Sequence, residues 1–544
     1  MPSATPPPQP PRSTTSLCVL FSFSLAGLLC VPLWWSTSKV IRETLPQIGQ
    51  LQLHSWPLSI EVYLPPSISS ERDFDRIRQS LLQSLKRTKR NVAIQFHSFE
   101  PKFQNSVRTV EELDEELTTV LSRSDSPSET SGKLEFFVFQ HSESHFQKIR
   151  SKKWHFGQYR HGWFISDESD AFSDSVWEDL GELLSSKLLF TPKKSDDRLA
   201  FETEVTLSFT LLNSDPSERS FLWDFEGAFQ LFLRPFLSKL NDVFVWSVDS
   251  QILHFGKISS SKVLSSEKGF YLTPKSLESF VGSTNWNVVS TRSTSPAIEF
   301  LAFVPPASQT PLYIRDRSKK FIGTSFTVPR WGGVTIWNPS SKSSNQSASD
   351  QKQSRNYSPE LMSVKEIQSI MEIFLQQMRD MLGLPSIAPS NENDRFYLST
   401  SPIDGLTDWE RDGLLIDRIR TNLFDAHSTL NSLYDLAESV PHLPIEKHIQ
   451  DYVVQSVYSA EMAESLCKDG KFALCLRHSR ESRKSAHNAF FDPKMLPALY
   501  FSDEFTFAVY LPFFLPAFVP IITVISKQVK LFFKRRASLS INQN

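Results

Sequence analysis

The sequence predicts an α/β lumenal domain followed by long antiparallel helices, flanked by two transmembrane helices. Three observations predict it: an uncharged apolar stretch of membrane length near each end, alternating strand-like and helix-like pieces between them, and apolar stripes stepping by three and four residues after residue 360. Composition agrees. The 544 residues are 40% hydrophobic and 12% aromatic, enough for a sizeable core, and 58 Lys plus Arg against 60 Asp plus Glu exclude a polyanion binder driven by bulk charge. Four cysteines, Cys18, Cys30, Cys467 and Cys475, are too few for a disulfide scaffold or a Cys-rich zinc module.

Residues 1–15 hold six prolines and read as a disordered cytosolic tail. Residues 16–36 read as the first span: LCVLFSFSLAGLLCVPLWW, from Leu17 to Trp35, covers a hydrocarbon core of roughly 30 Å at about 1.5 Å per residue. The competing reading is a cleaved signal peptide, whose apolar run of about 7 to 15 residues is shorter; the Trp34-Trp35 pair fits an interfacial anchor.

Residues 55–338 read as the α/β domain. Strand-like pieces are SIEVYL at 59–64, NVAIQFHSF from Asn91, KLEFFVFQ from Lys133, EVTLSFTLL from Glu204, VFVWSVDSQILHF from Val243 and AIEFLAFV from Ala297. Helix-like pieces are Phe74 to Arg87, Val110 to Leu121, Phe172 to Leu189 and Gly227 to Leu240. Strand direction is open at this level. Residues 339–359, with eight serines, read as an exposed loop carrying two N-glycosylation patterns at Asn345 and Asn356, the second followed by Pro359.

Residues 360–504 read as helical. Val364, Ile367, Met371, Phe374, Met378 and Met381 form one stripe ending at Gly383 and Pro385. Ile416 to Val440 gives a second, and Ile449, Val453, Val457 and Ala460 a third, broken near Asp469-Gly470 before a last helix to about Phe490. Residues 505–526 read as the second span. Its Pro512, Pro516 and Pro520 recur every four residues, each removing a backbone donor, so a bent helix supported by neighbouring helices is expected. The tail 527–544 carries Lys527, Lys530, Lys534, Arg535 and Arg536, which places both termini in the cytosol and the middle in a lumen. Arg12 against Lys39 and Arg42 disagrees locally at the first span, and the stronger cluster decides. A basic tail also argues against a removable GPI-attachment signal.

No Walker loop, dinucleotide glycine fingerprint, HExxH or GxSxG elbow occurs. His141 and His145 lack a third ligand and read as a solvated loop. Cys475 and His478 lie one helical turn apart, but no orienting third group is identifiable and Arg477, Arg480, Arg483 and Lys484 suggest a solvated face. Cys467 and Cys475 would stand about 12 Å apart along one helix, too far to bridge while both turns stay helical. No catalytic, cofactor or metal residue is therefore assigned. Trp223 and Asp224, where FLWDFEG opens a helix with Asp224 as N-cap, and Arg330 and Trp331, in the turn PRWGG before the strand VTIWN, are interface candidates, together with the three span prolines.

Long stretches, in one order along the chain, resemble the PIG-S (phosphatidylinositol glycan class S) family: VPLWWSTSK, LSFTLLNSDPSERSFLWDFEGAFQLFLRPFL from Leu207, SVDSQIL, PLYIRD, PRWGGVTIWN and FFDPKMLPALYFSDEFTFAVYLPFFLPAFVP from Phe490. Little of 66–200 matches. The resemblance implies a non-catalytic, two-span subunit of the GPI transamidase of the endoplasmic reticulum membrane. That complex exchanges a C-terminal proprotein signal for a preassembled GPI. The implied partners are PIG-K, PIG-T, PIG-U and GAA1-type subunits. A self-sufficient lumenal enzyme acting on glycans or lipids is the competing class.

Overall fold

The structure is a computed structural model. It describes residues mainly within 58–99, 109–119, 133–140, 154–184, 204–281, 297–339, 359–384, 396–398, 405–440 and 443–495, with 42–46 and scattered positions in 18–25 and 508–534. The chain divides into a larger unit, Gln52–Asn422 with Glu461–Arg480, and a smaller one, Met1–Leu51, Leu423–Ala460 and Glu481–Asn544.

The larger unit begins with β1 (Leu58–Leu64), α1 (Glu71–Leu85), β2 (Val92–Ser98), β3 (Lys133–Gln140), β4 (Trp154–Phe156), β5 (His161–Ser166) and α2 (Asp174–Leu183). A second series follows: β6 (Glu204–Asn213), β7 (Phe221–Leu222), α3 (Phe225–Ala228), a π-helical turn (Phe229–Leu233), α4 (Arg234–Lys239) and β8 (Val245–His254). Then come β9 (Val263–Ser266), β10 (Gly269–Leu272), α5 (Pro274–Val281), β11 (Ala297–Val304), β12 (Leu312–Arg315) and β13 (Phe321–Gly323). The series closes with β14 (Ser325–Val328), β15 (Gly332–Ile336), β16 (Glu360–Leu361) and α6 (Val364–Leu382), before β17 (Phe396–Leu398) and the long helices α7 (Asp408–Ser439), α8 (Lys447–Lys468) and α9 (Phe472–Phe490).

Two large sheets carry the α/β part. The first has the order β17-β4-β5-β3-β1-β2 and the second β14-β15-β11-β6-β8, with a four-stranded sheet β13-β12-β10-β9 beside the second. Strand direction, open in the sequence, is mixed: β2, β1, β3 and β5 run parallel with β4 antiparallel, and β8, β6, β11 and β15 run parallel with β14 antiparallel. Both faces of each sheet are covered, which is why the strands read as near-continuous apolar runs. In the first, Ile60, Val62, Phe136 and Trp154 pack on α1 and α2 through Ile77, Leu81 and Trp177. Its other face, Phe137, Phe139 and Trp163, lies under Leu113 and Leu117.

Leaving β17 aside, the two sheets repeat one arrangement. Each has its second strand at the edge, its first beside it, and its third and fifth following on the other side. In each, the fourth strand is antiparallel and pairs with the fifth. The registers coincide: the row Phe96–Val62–Phe136–Gly162 of the first sheet is matched by Ser250–Phe209–Phe300–Gly333 of the second. Even the glycine recurs, and the third strands read LEFFVF at 134–139 and IEFLAF at 298–303.

The helical stripes form as their periods require. α6 ends at Gly383, which takes a left-handed φ of 73°. One expectation is overturned. Cys467 and Cys475 are joined by a disulfide with Cα atoms 5.5 Å apart, because α8 stops at Lys468 and Gly470, at φ 76°, reverses the chain before α9. The helical spacing that separated them does not apply across that turn. In the smaller unit the same reversal lets small side chains meet, the Ser456 hydroxyl donating to the Ser482 carbonyl at 2.7 Å, beside a core of Leu433, Ile449, Val453 and Ala489.

Asp492 closes that core. Its carboxylate accepts from the Lys494 backbone N–H at 2.9 Å and pairs with His448 Nε2 at 2.7 Å. Burial pushes the carboxyl up, but these donors outweigh it and hold it below the ordinary carboxylate range. Its contribution to stability is therefore full above the unfolded-state value of about 3.9 and fades as pH falls through the folded-state one. Wild type and Asp492→Asn are expected to differ in melting temperature at neutral pH and to converge toward about pH 3. An equal gap at both ends would contradict this.

Among the described residues no helix is long and apolar enough to cross a membrane. Of residues 16–36 only Cys18, Phe21, Ser22 and Leu25 are described.

Candidate functional site

The segment that opens with FLWDFEG builds one wall of a groove. Asp224 caps α3 as its spacing predicts, its carboxylate accepting the Gly227 N–H at 3.1 Å. Trp223 is buried against Phe225, ring centroids 5.5 Å apart, so its ring is spent on the chain's own core. The π-helical turn and Pro235 at the start of α4 then re-aim the helix. Between this wall and strand β8 lies a groove of about 480 Å³, lined by Phe225, Phe229 and Leu237 on one side and Trp246, Val248 and Ser250 on the other. Along its rim Gln230 donates to Glu226 at 2.7 Å and accepts from Arg234. The Trp246 Nε1 is buried without an acceptor among the described residues.

The PRWGG turn is a tight connection between β14 and β15. Arg330 sits at φ 61° and Gly332 at φ 147°, while the Trp331 carbonyl accepts the Glu299 N–H at 2.9 Å. Trp331 is half-buried against the core that joins the second and the four-stranded sheets, and Arg330 is exposed. A Cβ on Gly332 would lie 1.8 Å from the Glu299 carbonyl oxygen, against backbone that has nowhere to go. Gly332→Ala is expected to abolish accumulation of folded protein, and Arg330→Ala to leave it intact; expression of both in the full chain, read by quantitative blotting, checks this.

A third cluster has no sequence signature. Residues 407–412, at the start of α7, reach four different elements of the larger unit. Trp409 enters the first core and its Nε1 donates to the Gly157 carbonyl at 3.2 Å. Glu410 pairs with the fully buried Arg379 of α6, and Asp412 with Arg160 at the β4–β5 turn. Arg411 pairs with Asp242 beyond α4. Asp408 lies 3.7 Å from Arg160 and 4.0 Å from Lys239; burial pushes its carboxyl up, and these cations pull it back only partly. The cluster locks the two sheets and α6 to α7. Alternating charged residues around one tryptophan resemble any exposed helix start, so only the fold distinguishes them.

Asn345, Asn356, His141 and His145 lie outside the described residues. Pro512, Pro516 and Pro520 fall on helical positions, the first two exposed, among exposed Leu515, Phe518, Val519, Ile522 and Ile525. Cys475 is buried and bonded to Cys467, so it offers no thiolate to His478. Among the described residues no group of three His, Cys, Asp or Glu could hold a metal.

Two α/β sheets of like topology, with a groove at one sheet edge and no metal-ligating cluster among the described residues, define a mixed α/β class of protein. The chain belongs to the PIG-S family: the family model described as "Phosphatidylinositol-glycan biosynthesis class S protein" matches residues 21–535. It is similar to the "GPI-anchor transamidase component PIGS" of Homo sapiens, 29% identical over 95% of each chain. The Bos taurus protein of the same name is 32% identical over 67% of this chain and 64% of its own. A "GPI transamidase component PIG-S homolog" of Schizosaccharomyces pombe is 21% identical over 97% of this chain and 86% of its own.

Proposed function

We propose that the chain is a non-catalytic subunit of the GPI transamidase, supporting attachment of preassembled GPI anchors to proprotein C-termini in the endoplasmic reticulum. The observation that carries this reading is the family match across nearly the whole chain, joined to relatives that are themselves named transamidase components. The rival reading, a self-sufficient lumenal enzyme acting on glycans or lipids, is not favoured by those names.

In this reading two spans, at 16–36 and 505–526, anchor the chain in the membrane with both termini cytosolic and the body lumenal. The Cys467–Cys475 disulfide supports the lumenal placement, since such bonds persist in oxidising compartments. Exposed Val509, Leu515, Phe518, Ile522 and Ile525 on helical positions support the second span, because lipid is the solvent such a surface tolerates. Asn345 and Asn356 would then be available for glycosylation. PIG-K, PIG-T, PIG-U and GAA1-type subunits are the partners, with Arg330 and the three span prolines as contacts. The subunit's contribution is positional: by binding its partners it holds their reacting groups in register and lowers the entropy cost of bringing them together. Purification of the tagged full chain in mild detergent is expected to bring these subunits down stoichiometrically. A chain recovered alone under conditions that keep the complex intact would overturn the proposal.

A further inference from the structure

The duplication exposes a difference between the two halves at one equivalent position. In the first half the edge strand β2 carries Phe96, whose ring stacks on Phe74 of α1 at 5.1 Å with the Arg78 guanidinium 5.5 Å above it. The matching position of the second half is Ser250, exposed at the groove. The helix wall is nonetheless built for a ring there, with Phe225, Phe229 and Leu237 facing Trp246 and Val248 across open space.

The strand beside this groove is also an unusual edge. β8 pairs with β6 over ten residues in unbroken register and, among the described residues, has no neighbour on its other side. Edges of this length are ordinarily blunted by Lys, Pro or a bulge, because their unpaired N–H and C=O groups template another strand. β8 has no Lys, Pro or bulge, and the only Asp, Glu, Lys or Arg on it is the exposed Asp249. Exposed Val245, at 56%, and Leu231, at 65%, flank it.

We propose that a partner polypeptide of the assembly adds an extended strand to the free edge of β8 and inserts an aromatic side chain into the groove, where the first half places its own Phe96. The row of backbone donors and acceptors recognises extended polypeptide rather than lipid or sugar. A strand added there runs about 4.8 Å beyond β8, so its side chain in the Ser250 row stands over the groove. The buried Trp246 Nε1 then gains an acceptor from the incoming segment. Offset or edge-on packing against Phe225 and Phe229 adds to the area buried. The inference rests on the reading of the chain as a subunit, and its failure is separable from the failure of that reading.

The test uses the full chain in the assembled complex. A photo-crosslinking residue replacing Ser250 is expected to label one extended segment of another subunit, located by mass spectrometry of the crosslinked peptide. Labelling of lipid alone, of a second copy of this chain, or of nothing in an intact complex overturns the proposal. With the crosslinker moved to Val245, Ser250→Phe supplies the missing ring from within and is expected to lower the yield at least about tenfold, an overpacking effect; Ser250→Ala is expected to leave it unchanged. Undiminished crosslinking in Ser250→Phe, with the complex assembled, also overturns it. A wild-type chain that brings down no transamidase subunit would instead refute the subunit reading itself.

Discussion

Arg379→Met is expected to destabilise the larger unit by about 3–5 kcal/mol, enough to deplete the chain from cells. Arg379 is fully buried, and its guanidinium donates to both carboxylate oxygens of Glu410, one at 3.1 Å, and to the Gly405 carbonyl at 2.5 Å. Glu410 in turn accepts the Thr407 N–H at 2.9 Å. Removing the cation leaves a buried carboxylate unpaired, and that uncompensated charge is the cost rather than the lost attraction. The double variant Arg379→Met/Glu410→Leu removes both charges and is expected to recover most of the loss. Thermal unfolding of the purified chain separates the outcomes: a single variant as stable as wild type, or a double variant worse than the single, would contradict the account.

Cys475→Ala and Cys467→Ala are expected to cost the same, about 2.5 kcal/mol from the loop-closure entropy of so short a ring, and the double variant no more than either. Equality is the informative part. A structural bond has two equivalent ends, whereas a catalytic thiol would make Cys475 alone indispensable. GPI attachment per assembled complex should therefore be unchanged in both variants. Loss of attachment confined to Cys475→Ala, with normal assembly, would restore the thiol to a chemical role.

The elements read most easily were those whose period is dictated by burial. The strands at 59–64, 133–140 and 297–304 are apolar on both faces because helices cover both, and the stripe from Val364 to Met381 is helical because one face of α6 packs on Phe209 and Phe300 through Phe374. β4, β9, β10 and β12 to β17 are two to five residues each, too short to establish a period. The disulfide was hidden because spacing along a helix was applied across the Gly470 turn. The duplication was hidden because only the third strands, LEFFVF and IEFLAF, retain likeness; elsewhere the rings have moved, as in Phe96 with Val62 against Ser250 with Phe209. Of the candidate site, Asp224 was legible as a cap because its carboxyl acts within three residues. The cluster at 407–412 was not, because its partners Arg160, Lys239 and Arg379 lie between 31 and 252 residues away, as their pairings with Asp412, Asp408 and Glu410 show.

The decisive comparison is transamidation of a reporter proprotein by the purified chain alone and by the complex with and without it. Product is expected from the complete complex, with a severe deficit without this chain and none from the chain by itself. Product formed by the isolated chain would contradict this.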